Sequence, residues 1–414
     1  SNQEKLIFLI FLTLLAGVFF ILSKTNLFIS SETNLFISPE TSLLILKNFL
    51  DNSNDNPRNK IPESGTVNTL TNNETEVKAE DKEFIENDDL IENRVASLKI
   101  IKAVYVTSWS ASRDDYINYL INLAKNTEIN SAVIDIKDWS GHIGYDTAVP
   151  QAEEYGAESI RIKDIDAFIQ NLHSEGIYVI GRIAIFQDPI LAKNKPEIAI
   201  HSQSKIPLFP LDSLDPVSSV LFSLSPFSLW LDRLGLAWID PAAKGNWDYN
   251  IAIAKDAISH GFDEINFDYV RFPSDGDLKD MVFPIWDGKT EKHLVIKEFF
   301  KYLRERLPEA RLSVDLFGLS ASSADDLGVG QVIEDAFEYF DYVSPMIYPS
   351  HYAPGFLRFE NPADYPYEVV NYSMERASQR LSVFKQSHES NSQIRPWLQD
   401  FNLGAIYDAQ MVRN

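Results

Sequence analysis

Between residues 100 and 398 the chain repeats one pattern seven times: a short β-branched, apolar run separated from the next by a stretch of helical period. The runs are 100–107 (IIKAVYVT), 131–136 (SAVIDI), 177–185 (IYVIGRIAI), 264–270 (EINFDYV), 311–317 (RLSVDLF), 342–348 (YVSPMIY) and the short 394–398. Amphipathic segments fall at 114–125, 160–175, 249–259, 291–307, 331–340 and 367–382, and Gly176 and Gly261 stand where two of them should stop. Strands that alternate with helices pair in parallel, because each helix carries the chain back along the sheet. No Gly-x-Gly-x-x-Gly follows the first run, so the count predicts a (β/α)8 TIM barrel rather than a doubly wound sheet. The sequence ends at Asn414, inside what reads as the seventh helix, and the eighth strand is expected beyond it. Residues 201–228, with four prolines, read as an insertion after the third strand.

Side chains alternate between the two faces of a strand, so one parity of each run points into a barrel. Acidic residues share that parity near the carboxyl ends of three runs. They are Asp135 with Lys137 in the second, Asp268 beyond Glu264 and Asn266 in the fourth, and Asp315 beyond Ser313 in the fifth. The alternate positions are apolar: Ile134 and Ile136, Ile265 and Phe267, Val314 and Leu316. A charge inside a barrel costs several kcal/mol unless it is paired or solvated at the mouth. Three that converge from three strands on the mouth predict a site. Two facing carboxylates suit glycoside hydrolysis, one protonated to serve the leaving oxygen and one charged to meet the anomeric carbon or a water. Asp268 is expected as nucleophile or electrostatic stabiliser, with Arg271 and Lys137 as its counter-charges. Asp315 is expected as general acid/base, and Asp135 as a substrate-binding or supporting carboxylate. Trp109, Trp139, Tyr269, Tyr348 and Trp397 follow or lie in the strand ends and offer flat apolar faces to sugar rings, while Gln399 and Asp400 could bond hydroxyls.

The rest of the composition narrows the chemistry. With no cysteine, thiol nucleophiles, disulfides and Cys-ligated metals are excluded. The seven histidines show no His-x-His or His-Glu-x-x-His spacing, so no metal and no cofactor is expected. Asp275-Gly276-Asp277 with Asp280 lacks the full twelve-residue calcium pattern and reads as a solvated turn. A net charge of −23 disfavours nucleic acid as a partner.

The amino-terminal quarter is of another texture. Residues 6–22 (LIFLIFLTLLAGVFFIL) are uncharged and apolar between Lys5 and Lys24, long enough to span about 25 Å as a helix. Without a small-x-small cleavage site after them, they read as an uncleaved membrane anchor, which makes a membrane a partner. A duplication, TNLFIS-SE-TNLFIS-PE, follows, and residues 51–93 are rich in Asn, Asp, Glu, Ser and Thr. Such a stretch cannot bury enough apolar area to order itself. The expected organisation is an anchor over 1–24, a disordered acidic linker over 25–97 with an Asn73-Glu74-Thr75 sequon, and a barrel domain over 98–414 facing out of the cytoplasm.

Five motifs then carry a resemblance: AVIDIKDWSGHIGYDT (132–147), GLAWIDPAAKGNWDYNIAIAKDA (235–257), GFDEINFDYVRFPSDG (261–276), DYVSPMIYPSHY (341–352) and PWLQDF (396–401). Over about residues 100–414 the chain resembles a bacterial family of glycosyl-hydrolase-like domains whose expected fold is a TIM barrel. The long 201–228 insertion and the ending before a final strand depart from that family. The resemblance implies the barrel and a carbohydrate-active role, without a substrate or a catalytic pair. Together with the residues it leads to a glycoside hydrolase acting on a cell-envelope or extracellular polysaccharide. A non-catalytic barrel that tethers glycan is the alternative.

Overall fold

The computed structural model describes residues 100–205 and 228–413. The expected anchor, duplication, linker and sequon lie outside the described residues, as does most of the 201–228 insertion. Among the described residues no helix is long and apolar enough to cross a membrane.

The fold is mixed α/β, with one sheet in which parallel pairing dominates. Its strands are β1 (Ala103–Val106), β2 (Ser131–Lys137), β3 (Ile143–Tyr145), β4 (Glu158–Ile162), β5 (Tyr178–Ala184), β7 (Glu264–Asp268), β9 (Leu312–Phe317), β10 (Tyr342–Ile347), β11 (Gln393–Ile394) and β12 (Trp397–Leu398). A separate antiparallel pair joins β6 (His201–Ser202) to β8 (Met281–Val282). In the main sheet the order β1-β2-β5-β7-β9-β10 follows the chain, with β11 and β12 both on the far side of β10, and every one of these pairings is parallel. All seven expected runs are strands. The last is split in two, because Pro396 has no N–H to give the ladder between β11 and β12.

One excursion is not legible in the sequence pattern. After β2 the chain turns back as β3, antiparallel to β2, and β4 pairs with β3. Residues 158–162 (ESIRI) alternate with period two and form β4, where a helix from residue 160 is expected. The helix starts instead at Ile165, capped by Asp164, whose carboxylate accepts the Ala167 N–H at 2.9 Å.

The pleat sorts the side chains onto two faces. Ile134, Ile136, Val179, Ile183, Ile265, Phe267, Leu312, Val314 and Leu316 join the large buried core with the helices Lys244–Ser259 and Lys292–Arg306. The other face gathers Ile101, Val133, Tyr178 and Ile180 with Ala103, Tyr342 and Trp397, which come from both ends of the sheet. Tyr105 of β1 and Trp397 of β12 meet edge to face, 6.4 Å between ring centres. The sheet therefore curls until its first and last strands touch through side chains.

The inner face is layered. At the amino-terminal ends Glu264 is fully buried, bound by both terminal nitrogens of Arg395 and by the Tyr178 hydroxyl at 3.3 Å. Val133 and Ile180 form a short aliphatic storey, and the acidic cluster described below lies at the carboxyl ends. Removing one partner of a buried ion pair leaves the other charge without compensation. Glu264→Ala should therefore cost about 3–5 kcal/mol of stability, read as a lower denaturant midpoint at unchanged slope.

Candidate active site

Arg182 is the hub of the carboxyl-terminal layer. The register sets Asp135 of β2 and Asn266 of β7 beside it, one on each neighbouring strand. Its Nη1 bonds Asp135 Oδ1 at 2.5 Å, its Nη2 bonds Asp268 Oδ2, and its Nε lies 3.7 Å from Asp315 Oδ2. Burial opposes the charge of this guanidinium, yet the three carboxylates more than offset it and raise its pKa well above normal. The Tyr105 hydroxyl donates to Asp135 Oδ2. Burial pushes the Asp135 carboxyl up, against the pull of Arg182 and Tyr105.

Asp268 and Asp315 stand side by side. Phe267 pairs with Val314, so the two acids are next in register on strands about 4.8 Å apart. Their side chains lie on the inner parity, as the alternation requires. Asp268 Oδ1 accepts the N–H of Tyr269 at 2.5 Å. Tyr269 has φ +55°, a left-handed backbone that costs a non-glycine residue on the order of 1 kcal/mol. That turn at the strand end is what brings its amide onto the carboxylate. Asp315 is buried, and its Oδ1 accepts from Asn266 Nδ2 at 2.9 Å and Trp397 Nε1 at 2.8 Å. Its Oδ2 is buried without a hydrogen-bond partner. Burial, reinforced by the charge of Asp268, pushes the Asp315 carboxyl up to about 7 in spite of Arg182 and the two donors.

Three expected roles need correction. Lys137 does not face Asp268. A register shift between Asp135 and Lys137 breaks the alternation and turns the lysine towards the helical shell. There Nζ pairs with Asp188 at 2.7 Å and bonds the Ala184 carbonyl and Asn250. Arg271 makes no ion pair with Asp268; its guanidinium stacks between the rings of Trp238 (4.7 Å) and Phe317 (4.8 Å) and donates to the Phe272 carbonyl and Ser274. Gln399 is buried and braces its own loop: Oε1 accepts the Ser350 N–H, and Nε2 donates to the carbonyls of Phe401 and Leu403. The counter-charge of the site is Arg182, which sequence reasoning missed, although it stands at inward parity in the third run by the rule that found the acids.

The aromatic residues divide. Trp397 belongs to the site as a hydrogen-bond donor to Asp315. Burial, then the charges of Asp315 and Asp268, raise the Tyr348 phenol, and its ring packs on Phe401 and His351. Trp109 and Trp139, 64% and 45% exposed, lie outside the acidic cluster. The indole of Trp109 rests 4.4 Å from the guanidinium of Arg161, which is ion-paired at 3.0 Å to Asp138. In the acidic turn, Asp275 and Asp277 accept backbone N–H groups and Asp280 accepts from Ser202 and Ser204. Among the described residues no group of His, Asp or Glu is arranged to hold a metal.

In parallel α/β folds the carboxyl-terminal ends of the strands are where active sites of many reaction classes are built, and here they collect acidic side chains from three strands. Residues 103–414 match the family described as "Putative glycosyl hydrolase domain", and the chain belongs to that family. Among curated proteins none matches it. Solved structures similar to it include a hypothetical protein from Ruminiclostridium thermocellum ATCC 27405, at 36% identity over 55% of this chain and 98% of that one, TM-score 0.43. The PgaB (BpsB) glycoside hydrolase domain from Bordetella bronchiseptica is similar at 12% identity over 72% of this chain and 94% of that one, TM-score 0.45. The α-galactosidase TtGalA from Thermus thermophilus is similar at 10% identity over 78% and 58%, TM-score 0.40.

The raised carboxyl of Asp315 has a consequence for stability. Between about pH 4, where an unfolded Asp titrates, and about 7, the folded chain holds a proton that the unfolded chain has lost. Stability from this group is complete below pH 4 and declines as pH rises to 7. Asp315→Asn mimics the protonated form, so its unfolding free energy should fall by less than the wild type's between pH 4.5 and 7.5.

Proposed function

We propose that the chain is a glycoside hydrolase that cleaves O-glycosidic bonds of a cell-envelope or extracellular polysaccharide by a two-carboxylate mechanism. The observation that carries this reading is the pair Asp268–Asp315: neighbours in register, joined to one guanidinium, with Asp315 protonated near neutrality. Asp315 is the general acid. It gives its proton to the glycosidic oxygen as the bond to the anomeric carbon breaks. Asp268, its oxygens fixed by Arg182 and the Tyr269 amide, meets the positive charge that develops on the sugar, as nucleophile or as stabiliser of the oxocarbenium ion. Acids at the ends of adjacent strands fall within the span of about 5–10 Å that covers both retaining and inverting geometries. Asp135 holds Arg182 in place. Tyr348, Trp109 and Trp139 are proposed to contact sugar units. The curled sheet is proposed to be a (β/α)8 barrel, anchored through residues 6–22, with the domain outside the cytoplasm and held off the membrane by the acidic linker.

Release of reducing ends from a panel of envelope and extracellular glycans tests the reading. Asp268→Asn should lower turnover at least about a hundredfold while leaving the fold and glycan affinity in place. Activity should fall above pH 7, as Asp315 loses its proton. Glycan binding without release of reducing ends by the wild type would instead assign the domain to tethering.

A further inference from the structure

Both hydrogen bonds to Asp315 arrive at the same oxygen. Trp397 Nε1 and Asn266 Nδ2 donate to Oδ1, from β12 on one side and β7 on the other. Asn266 is itself held by a second bond from Nδ2 to Ser313 Oγ, at 3.0 Å. The indole of Trp397 is fixed edge-on against Tyr105, whose hydroxyl is bound to Asp135. Oδ2 has no hydrogen-bond partner and lies on the side of Arg182, whose Nε at 3.7 Å is too distant to donate to it. Two N–H groups on one carboxyl oxygen occupy both of its in-plane lone pairs and leave no place there for a proton.

We propose that Trp397 and Asn266 are positioning residues that hold Asp315 Oδ1 as an acceptor in both protonation states and so confine the acid's proton to Oδ2, on the side of Arg182 and Asp268. This rests on the glycoside hydrolase reading for its catalytic meaning, although not for its geometry. The leaving oxygen then takes its proton from the one oxygen free to turn its hydrogen into the site. The charged and titratable groups that face Asp315 are Asp268 of β7, Arg182 of β5 and Tyr348 after β10, and none of them is a donor to Oδ1. Donors to a carboxyl oxygen favour its ionised form, so losing one makes the acid weaker.

Carboxyl carbon NMR on the whole protein labelled at aspartate reads this directly, the Asp315 signal being identified by its absence in Asp315→Asn. Trp397→Phe should raise the titration midpoint of Asp315 by at least about half a pH unit, because a hydrogen bond to the charged carboxylate is worth more than the same bond to its neutral form. Asn266→Ala should move it the same way, which keeps the test alive if Trp397→Phe does not fold. In the wild type the Trp397 indole N–H should stay hydrogen-bonded and protected from exchange on both sides of the midpoint. A midpoint that stays put or falls in the folded variants overturns the proposal, as does an indole bond that breaks when Asp315 is protonated. The falling limb of the pH–rate profile should rise with the midpoint. A raised midpoint in a protein that cleaves no glycan would keep the positioning role and discard the hydrolase reading. A glycosidase whose midpoint does not move would do the reverse.

Discussion

One guanidinium organises the upper end of this sheet. Asp135, Asp268 and Asp315 come from three strands and would repel one another at the separations the register imposes. Arg182 stands between them and faces all three. It does not divide itself evenly: two acids take direct bonds, and the third is left at a longer distance with a bare oxygen. The inequality separates their chemistry. Three identical side chains become an anchor for the arginine, a held carboxylate and a weak acid, the last raised by burial and the charge of Asp268 with only the longer Arg182 contact set against them.

The inner face of the sheet has a second ion pair at its opposite end, Glu264 with Arg395, and between the two charged storeys lie the aliphatic Val133 and Ile180 beside the buried polar Asn266 and Ser313. This interior is unusually polar for a parallel sheet. Each buried charge is matched by a partner from a different strand, so the pairs tie the strands together across the sheet as well as along the ladder. The apolar cohesion of the domain lies on the other face, between sheet and helices.

Much of this is readable in the sequence. Asp268, Asn266 and Glu264 fall on one parity, with Ile265 and Phe267 on the other, and the structure keeps that division. The same alternation in IYVIGRIAI puts Arg182 inward with Ile180 and Tyr178. Its pairing with the acids is set by the register between strands, whereas nearness along the chain points to Lys137 and Arg271. Lys137 fails because parity holds only while the ladder is regular, and the register slips between it and Asp135. Arg271 makes no direct ion pair because the faces of Trp238 and Phe317 hold its guanidinium, a contact no periodicity encodes. The β3–β4 excursion escapes for a related reason. Strands of three and five residues between a turn and a helix leave too few positions for a period of two to be told from the start of a helix.

The split last strand links the mechanics of the sheet to its chemistry. β11 and β12 hold two residues each, on either side of Pro396, and among the described residues β12 is laddered only to β10. Its other side meets β1 through the Tyr105–Trp397 contact, without backbone hydrogen bonds. A strand secured so lightly is among the first parts of a sheet to fluctuate. Trp397 rides on it, and its indole is one of two tethers on the buried acid. The hydrogen bonding of the buried acid is thereby tied to the integrity of a two-residue strand, so a disturbance of this seam reaches Asp315 Oδ1 directly.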